Sequence, residues 1–142
     1  MSRPAGALVP AAEVALAVVT LAVVLGLDRL FEGGGWLGPL TLHAAVAHGV
    51  MALARRRHLP LALTGVLTLV GLGLLTTWTT FGHTTRAWLP TGQTWDALGA
   101  ELDLAWLLYQ DVSAPAAAVP GFVATCAAAV WLIAFVADWA AF

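Results

Sequence analysis

The chain has 142 residues, of which 61% are hydrophobic, 10% are charged and only one, Cys126, is a cysteine. A soluble domain has about a quarter of its residues charged, and the mean hydropathy here is +0.88, so the composition indicates an integral membrane protein. The formal net charge of −2 argues against nucleic acid as a partner, because nucleic-acid binders carry a concentrated basic surface. A single cysteine excludes an intramolecular disulfide and a multi-cysteine metal site.

The length of the chain suits one domain. A membrane-spanning helix needs roughly 20 apolar residues to cross about 30 Å of hydrocarbon, so four or five crossings would use most of the sequence. We therefore expect residues 1–142 to form a single polytopic, all-α membrane domain. Four transmembrane helices and one extracytoplasmic amphipathic helix account for its apolar segments.

The first apolar segment covers residues 8–27, with Arg3 before it and Asp28 and Arg29 after it. A cleavable signal peptide is the competing interpretation, but it would have a shorter apolar run followed by a small-residue cleavage site. The stretch that follows, "DRLFEGGGW", contains no such site. We therefore expect an uncleaved first transmembrane helix.

The second and third apolar segments cover residues 36–54 and 59–78. Pro39 and Pro60 lie near their starts, where the missing backbone N–H of proline would have no helical partner in any case. Only residues 55–58 separate the two segments. This spacing predicts a tight antiparallel hairpin.

A more polar connection follows over residues 79–119 and contains an amphipathic pattern over residues 94–111. Its apolar side chains recur at intervals of three and four, which is typical of a helix with one apolar face; they are Trp95, Leu98, Leu102, Trp106 and Tyr109. Thr94 is a candidate N-cap, and Asp96 in the first turn suits the helix dipole.

This amphipathic helix contains too many acids to span a membrane. Helices that bind anionic membrane surfaces usually carry a basic polar face, whereas the polar face here is acidic. We therefore expect the tryptophan and leucine face to pack against the helical bundle or against a further outer domain.

The fourth apolar segment covers residues 121–142, and because the sequence stops within it we expect the chain to be the N-terminal part of a longer protein.

The distribution of arginines predicts the orientation, because arginines in short loops accumulate on the cytoplasmic side. With the N-terminus inside, four arginines lie on the inner face and two, Arg29 and Arg86, lie outside. The sequence thus predicts a multi-pass protein of the plasma (inner) membrane with a cytoplasmic N-terminus and an exported 79–119 connection.

Half of all basic residues stand together in the second hairpin turn, as Arg55, Arg56 and Arg57. We interpret this arginine run as a topology anchor that also contacts anionic lipid headgroups, at roughly 1 kcal/mol for each residue near the surface. The alternative interpretation is a specific site for phosphate or a partner.

Glu13 and Asp138 are ionisable groups within apolar segments, where charge is costly and a functional role has to be considered. Both lie toward the end of the membrane that holds the arginine run. We expect Asp138 to form an ion pair with one of the three arginines. The alternative is a proton or ion pathway, but the sequence places no acid deep in the core.

Metal binding and catalysis find no support in the remaining polar residues. His43 and His48 are five residues apart, about 140° around a helix, so they cannot easily bind one metal ion. Cys126 has no base within sequence reach and resembles a protonated, inert core residue. We expect no metal site, no cofactor and no catalytic residue.

Small residues within the apolar segments are expected to allow the helices to approach one another closely; they are Gly65, Gly71, Gly73, Ala124 and Ala128.

Four stretches that cover nearly the whole chain follow one another in a recognisable order: "AEVALAVVTLAVVLGLDRLF", "WLGPLTLHAAVAHGVMALARRRHLPL", "LPTGQTWDALGAELDLAWLLYQDVSAPAAAVPGFV" and "WLIAFVADWAAF". This order resembles the N-terminal membrane region of actinobacterial transglutaminase-like proteins of the TgpA type. Members of that family have several membrane helices followed by an extracytoplasmic transglutaminase-like domain with a Cys, His and Asp triad.

The resemblance implies a membrane-anchoring module and not an enzyme, because this chain lacks the family's catalytic domain and Cys126 cannot replace its nucleophile. The implied partners are the lipid bilayer and the protein's own C-terminal extracytoplasmic domain. The alternative function is that of a small independent integral membrane protein, as a transporter component or a membrane partner subunit.

Overall fold

The computed structural model describes residues 8–111 and 113–141 and is almost entirely helical. The described residues form five α-helices: α1 (Leu8–Gly26), α2 (Leu37–Arg56), α3 (Leu61–Thr80), α4 (Gly92–Asp111) and α5 (Pro120–Ala141). Four segments are long and apolar enough to cross a membrane: Ala11–Arg29, Leu37–Arg56, Leu61–Thr80 and Pro120–Ala141. The all-α class and the four long apolar helices are thus confirmed.

The helix ends differ from the predicted ones by one to two residues, for local reasons. α3 starts at Leu61 because Pro60 keeps an extended backbone, with φ −64° and ψ 149°. α2 continues through Arg55 and Arg56, since basic side chains are favourable in a last helical turn.

The start of α4 corrects the prediction that Thr94 is its N-cap. The helix begins at Gly92, so Thr94 lies in its first turn and Thr91 immediately precedes the helix. The Thr94 hydroxyl accepts a hydrogen bond from the Thr91 backbone N–H at 2.9 Å, while the Thr94 N–H donates to the Thr91 carbonyl. This pair of contacts resembles one half of a capping box with Thr91 at its start, so the predicted N-cap was three residues too late.

α2 ends in a Schellman motif, a pair of backbone hydrogen bonds that closes a helix C-terminus. The N–H of Leu59 donates to the Ala54 carbonyl and that of His58 donates to the Arg55 carbonyl, each at 3.0 Å. The motif needs a left-handed residue, and His58 takes that place with φ 51°. This compact ending allows α3 to start only a few residues later.

α2 lies at the centre of the bundle and packs against α1, α3 and α5. Small alanine side chains on α2 and α5 allow the two backbones to approach closely; the fully buried ones are Ala44, Ala47, Ala127 and Ala134. Larger core residues, including Val24, Leu40 and Val130, fill the space toward α1.

Two glycines allow close contacts between helices, and the sequence predicted one of them. A Cβ built on Gly71 of α3 would lie 2.5 Å from the indole of Trp131, and one on Gly121 of α5 would lie 2.0 Å from the Glu101 carbonyl oxygen. A Cβ on Gly65 or Gly73 would meet no described atom within 4 Å. The predicted close approach is therefore not made at these two glycines, which line hollows between α3 and α5.

At the end of the bundle remote from the arginine run, a two-stranded parallel sheet joins the two long connections. β1 (Phe31–Glu32) pairs with β2 (Ala116–Ala117). The next turn requires a glycine at Gly33, whose φ is +71°, and the Gly33 carbonyl accepts a hydrogen bond from the Trp36 indole at 2.7 Å. The sheet therefore ties the α1–α2 connection to the entry into α5.

α4 packs against the first turns of α5 through small residues, which partly corrects the prediction for its aromatic stripe. Ala105 and Thr94 are buried, whereas Trp95, Trp106 and Tyr109 are 57%, 63% and 68% exposed. The contact between the α4 backbone and Gly121 is too close to admit an aromatic ring. The stripe therefore flanks the contact instead of entering it.

Candidate functional site

An ion cluster joins three helices at the end of the bundle where α2 ends and α3 begins. The Arg55 guanidinium of α2 contacts Glu13 of α1 at 2.5 Å and also forms an ion pair with Asp138 of α5. Arg56 reaches the second carboxylate oxygen of Glu13 at 3.3 Å. Two arginines and two acids thus balance one another in charge.

The structure separates Arg55 from the rest of the arginine run. The Arg55 side chain is 21% exposed, and the Glu13 and Asp138 side chains are similarly covered, whereas that of Arg56 is 70% exposed. Successive residues of a helix point about 100° apart, so when Arg55 faces α1 and α5 its neighbour must turn outward. Arg57 is also exposed.

The predicted site residues therefore have two different environments. Sequence analysis left open which arginine Asp138 pairs with, and the structure brings Asp138 to Arg55. Glu13, which the sequence placed at the same depth with either the interface or an arginine as its partner, contacts the same guanidinium. Arg56 and Arg57 keep the exposure that a role at a lipid or protein surface requires.

A hollow of about 240 Å³ lies beside the ion cluster, between the ends of α2, α3 and α5. Arg55 and Asp138 form its charged wall, and Met51, Phe135 and Trp139 contribute apolar side chains. The guanidinium already has two carboxylate partners. The arrangement can hold helix ends in place, and it presents no nucleophile next to a base.

His43 takes part in a buried hydrogen-bond chain that sequence analysis missed. The Trp131 indole N–H donates to His43 Nδ1 at 2.9 Å, so the imidazole carries its proton on Nε2. Nε2 lies 3.3 Å from the Thr79 hydroxyl, which itself donates to the Leu75 carbonyl. The sequence shows these polar side chains within apolar helices but gives no indication of which ones contact each other.

His48 points toward a different helix. Its Nε2 lies 2.8 Å from the Thr20 hydroxyl of α1, which donates to the Leu16 carbonyl. Each histidine therefore has its own threonine partner. Within residues 8–111 and 113–141, no group of three or more histidine, cysteine, aspartate or glutamate side chains could hold a metal ion.

Cys126 lies partly buried against the core cluster that contains Val24 and Ala127. Its environment is that of a packing residue between α5 and its neighbours.

Comparisons of the chain with protein-family models, with curated proteins and with solved structures found no match.

Proposed function

We propose that this chain is a multi-pass membrane module whose four long helices cross the bilayer. The supporting observation is its surface, because large apolar side chains project outward along the middle of these helices. Val14, Leu69 and Leu132 are each more than 60% exposed, while the charged residues cluster at helix ends and in connections. A surface of this kind is unfavourable in water and suitable for lipid.

The ion cluster and the exposed arginines lie at the cytosolic end in this proposal. An even number of crossings puts both helix termini, the start of α1 and the end of α5, on the same side as the α2–α3 turn. That arrangement agrees with the Glu13 and Asp138 contacts to Arg55. The positive-inside rule then assigns this end to the cytosol and α4 to the outside, with the plasma (inner) membrane as location.

The finer function that we propose is to anchor a transglutaminase-like domain outside the cell membrane. The support is the resemblance of the chain to the membrane region of TgpA-type proteins. The 79–119 connection, with α4, would face that domain. Arg55 would act by holding α1, α2 and α5 together, and the module itself would perform no catalysis.

Cysteine labelling tests the topology. In a Cys126→Ala background, Gln93→Cys should react with a membrane-impermeant maleimide in intact cells, whereas Arg57→Cys should react only after permeabilisation. Gln93 and Arg57 are both exposed, so a difference in labelling between them does not arise from burial within the protein. Labelling of both sites from the same side would overturn the four-crossing arrangement, and the reverse pattern would overturn the orientation.

The anchoring function has a separate test in the coding sequence downstream of Phe142. We expect it to continue into a soluble domain with Cys, His and Asp in that order, and removal of residues 1–142 to release that domain from membranes. A stop codon directly after Phe142 would refute the anchoring role. It would favour the alternative of a small independent membrane protein, such as a transporter component or a partner subunit.

A further inference from the structure

An apolar groove runs along the side of the bundle between α3, α4 and α5. Its upper part has a volume of about 380 Å³ and is lined by side chains such as Leu72, Leu98 and Ala128. A second hollow of about 290 Å³ shares Leu72 and Ala128 with the first and extends to Phe135. The two hollows therefore form one continuous apolar groove.

The groove is longer than the hydrocarbon part of one leaflet, so it can hold a whole lipid acyl chain. It extends along α3 from Phe81 to Gly65, and 16 residues of helix cover about 24 Å. One leaflet contributes about half of the 30 Å hydrocarbon thickness. The groove is flanked by Leu69 and Leu132, which are 69% and 62% exposed, so it opens on the surface that we assign to lipid.

A polar hollow of about 560 Å³ lies directly above this groove. Hydrogen-bonded threonines lie where the two hollows adjoin, because the Thr84 hydroxyl and the Thr91 N–H both contact the Thr94 hydroxyl at 2.9 Å. Thr94 lines the apolar groove, and Thr84 and Thr91 line the polar hollow. Polar and apolar hollows in this order match the two ends of an amphiphile.

The polar hollow has a positive lining. Arg86 and His83 are its ionisable residues, and no carboxylate belongs to the described lining. Arg86 is the first residue of a tight turn in which Ala87 and Trp88 both have positive φ, at 50° and 65°. Non-glycine residues adopt this conformation only at a cost, and the Trp78 indole supports the turn with a 2.8 Å hydrogen bond to the Trp88 carbonyl.

One buried hydroxyl in the groove points to a ligand with a hydrogen-bond acceptor. Thr76 is only 8% exposed and lines the apolar groove, yet its hydroxyl has no hydrogen-bond partner within the described part of the chain. Its neighbours Thr77 and Thr79 both donate to carbonyls four residues earlier. A buried unpaired hydroxyl is unfavourable, so an ester carbonyl beside Thr76 would relieve that cost.

We propose that this site binds an anionic glycerophospholipid. The phosphate lies at Arg86 and His83, an ester carbonyl accepts a hydrogen bond from Thr76, and an acyl chain fills the groove below. The inference extends the proposed membrane location, on which it rests. A soluble anion would use the polar hollow alone, and a bound protein helix would leave Thr76 unsatisfied.

The test measures lipid binding to the purified chain in detergent by native mass spectrometry, with phosphatidylglycerol and phosphatidylcholine of equal chain length. We expect phosphatidylglycerol to bind about tenfold more tightly, as one charge-assisted contact implies. Arg86→Gln should remove this preference, and Thr76→Val should weaken both lipids. Arg57→Gln is the matched control at the opposite end of the bundle and should leave binding unchanged.

Filling the groove by Ala128→Trp should reduce binding of both lipids, and its melting curve without added lipid shows whether the variant is folded. Equal affinity for the two lipids in the unaltered chain, or loss of the preference in Arg57→Gln but not in Arg86→Gln, would overturn the proposal. So would equally tight binding of soluble glycerol phosphate. Because binding is measured in detergent, its failure is distinct from a failure of the maleimide topology test.

Discussion

The indole nitrogen of Trp131 lies 2.9 Å from Nδ1 of His43, and both side chains are almost completely buried. The contact joins α5 to α2, and the Nε2 side of the same ring reaches Thr79 on α3. A buried polar chain of this kind is stable only when each member has its partner. His43 therefore acts as a fixed connector between three helices.

Trp131→Phe should destabilise the bundle by about 1–3 kcal/mol, because it leaves His43 Nδ1 buried without a donor. Trp139→Phe is the matched control, since Trp139 is 66% exposed, and its effect should stay within about 0.5 kcal/mol. Reversible unfolding in mixed micelles measures both. Combining Trp131→Phe with His43→Leu should recover part of the loss, and strictly additive effects would contradict the contact.

Arg55→Gln should lower the free energy of unfolding by more than Arg56→Gln or Arg57→Gln. Arg55 contacts two acids and is mostly covered, whereas its neighbours are exposed, and exposed charges usually contribute within about 0.5 kcal/mol. The same unfolding measurement ranks the three variants. If the losses in Arg55→Gln and Asp138→Asn are strictly additive in the double variant, this ion pair is absent.

The two neighbouring glycines of α3 should respond in opposite directions to alanine. Gly71→Ala pushes a methyl group against the Trp131 ring and should cost about 1–3 kcal/mol. Gly73→Ala meets no described atom within 4 Å and should stabilise the helix by roughly 0.5–1 kcal/mol. Thermal melting of the two variants side by side gives the comparison, and equal shifts would refute the close approach.

His58→Gly should raise the melting temperature, because His58 adopts a left-handed backbone with φ 51° at the end of α2. Glycine adopts this conformation without the cost that other residues bear, which is roughly 1 kcal/mol. Arg57→Gly is the control: its φ is −93°, so the added flexibility should only destabilise. If both variants lose stability, the Schellman ending does not form as described.

The number of long helices follows directly from hydropathy. An apolar run of 20 residues in lipid has to satisfy its backbone hydrogen bonds internally, and a helix does so. The partners of polar residues do not follow in this way. Sequence placed Asp138 near the arginine run but could not select Arg55, because the selection depends on how α2 is rotated relative to α1 and α5. The Trp131 contact to His43 depends on the same rotation.

The position of α4 shows a second limit of sequence patterns. Spacing correctly indicated a helix in this connection, yet it could not show which side of that helix contacts the bundle. The contact is determined by the close approach of Gly121 to the Glu101 carbonyl. This is a contact between two backbones, so the spacing of side chains does not reveal it. The polar hollow around Arg86 and the unpaired hydroxyl of Thr76 were likewise invisible, since each arises where separate elements meet.

The pairing of β1 with β2 has a consequence for the order of assembly. Phe31 is synthesised early but can pair with Ala116 only after the first three long helices have been made. The entry into α5 thus pairs with a connection that was synthesised much earlier. The small sheet can therefore form only once most of the chain has been synthesised, and it adds a backbone contact to the packing of α5 against α2.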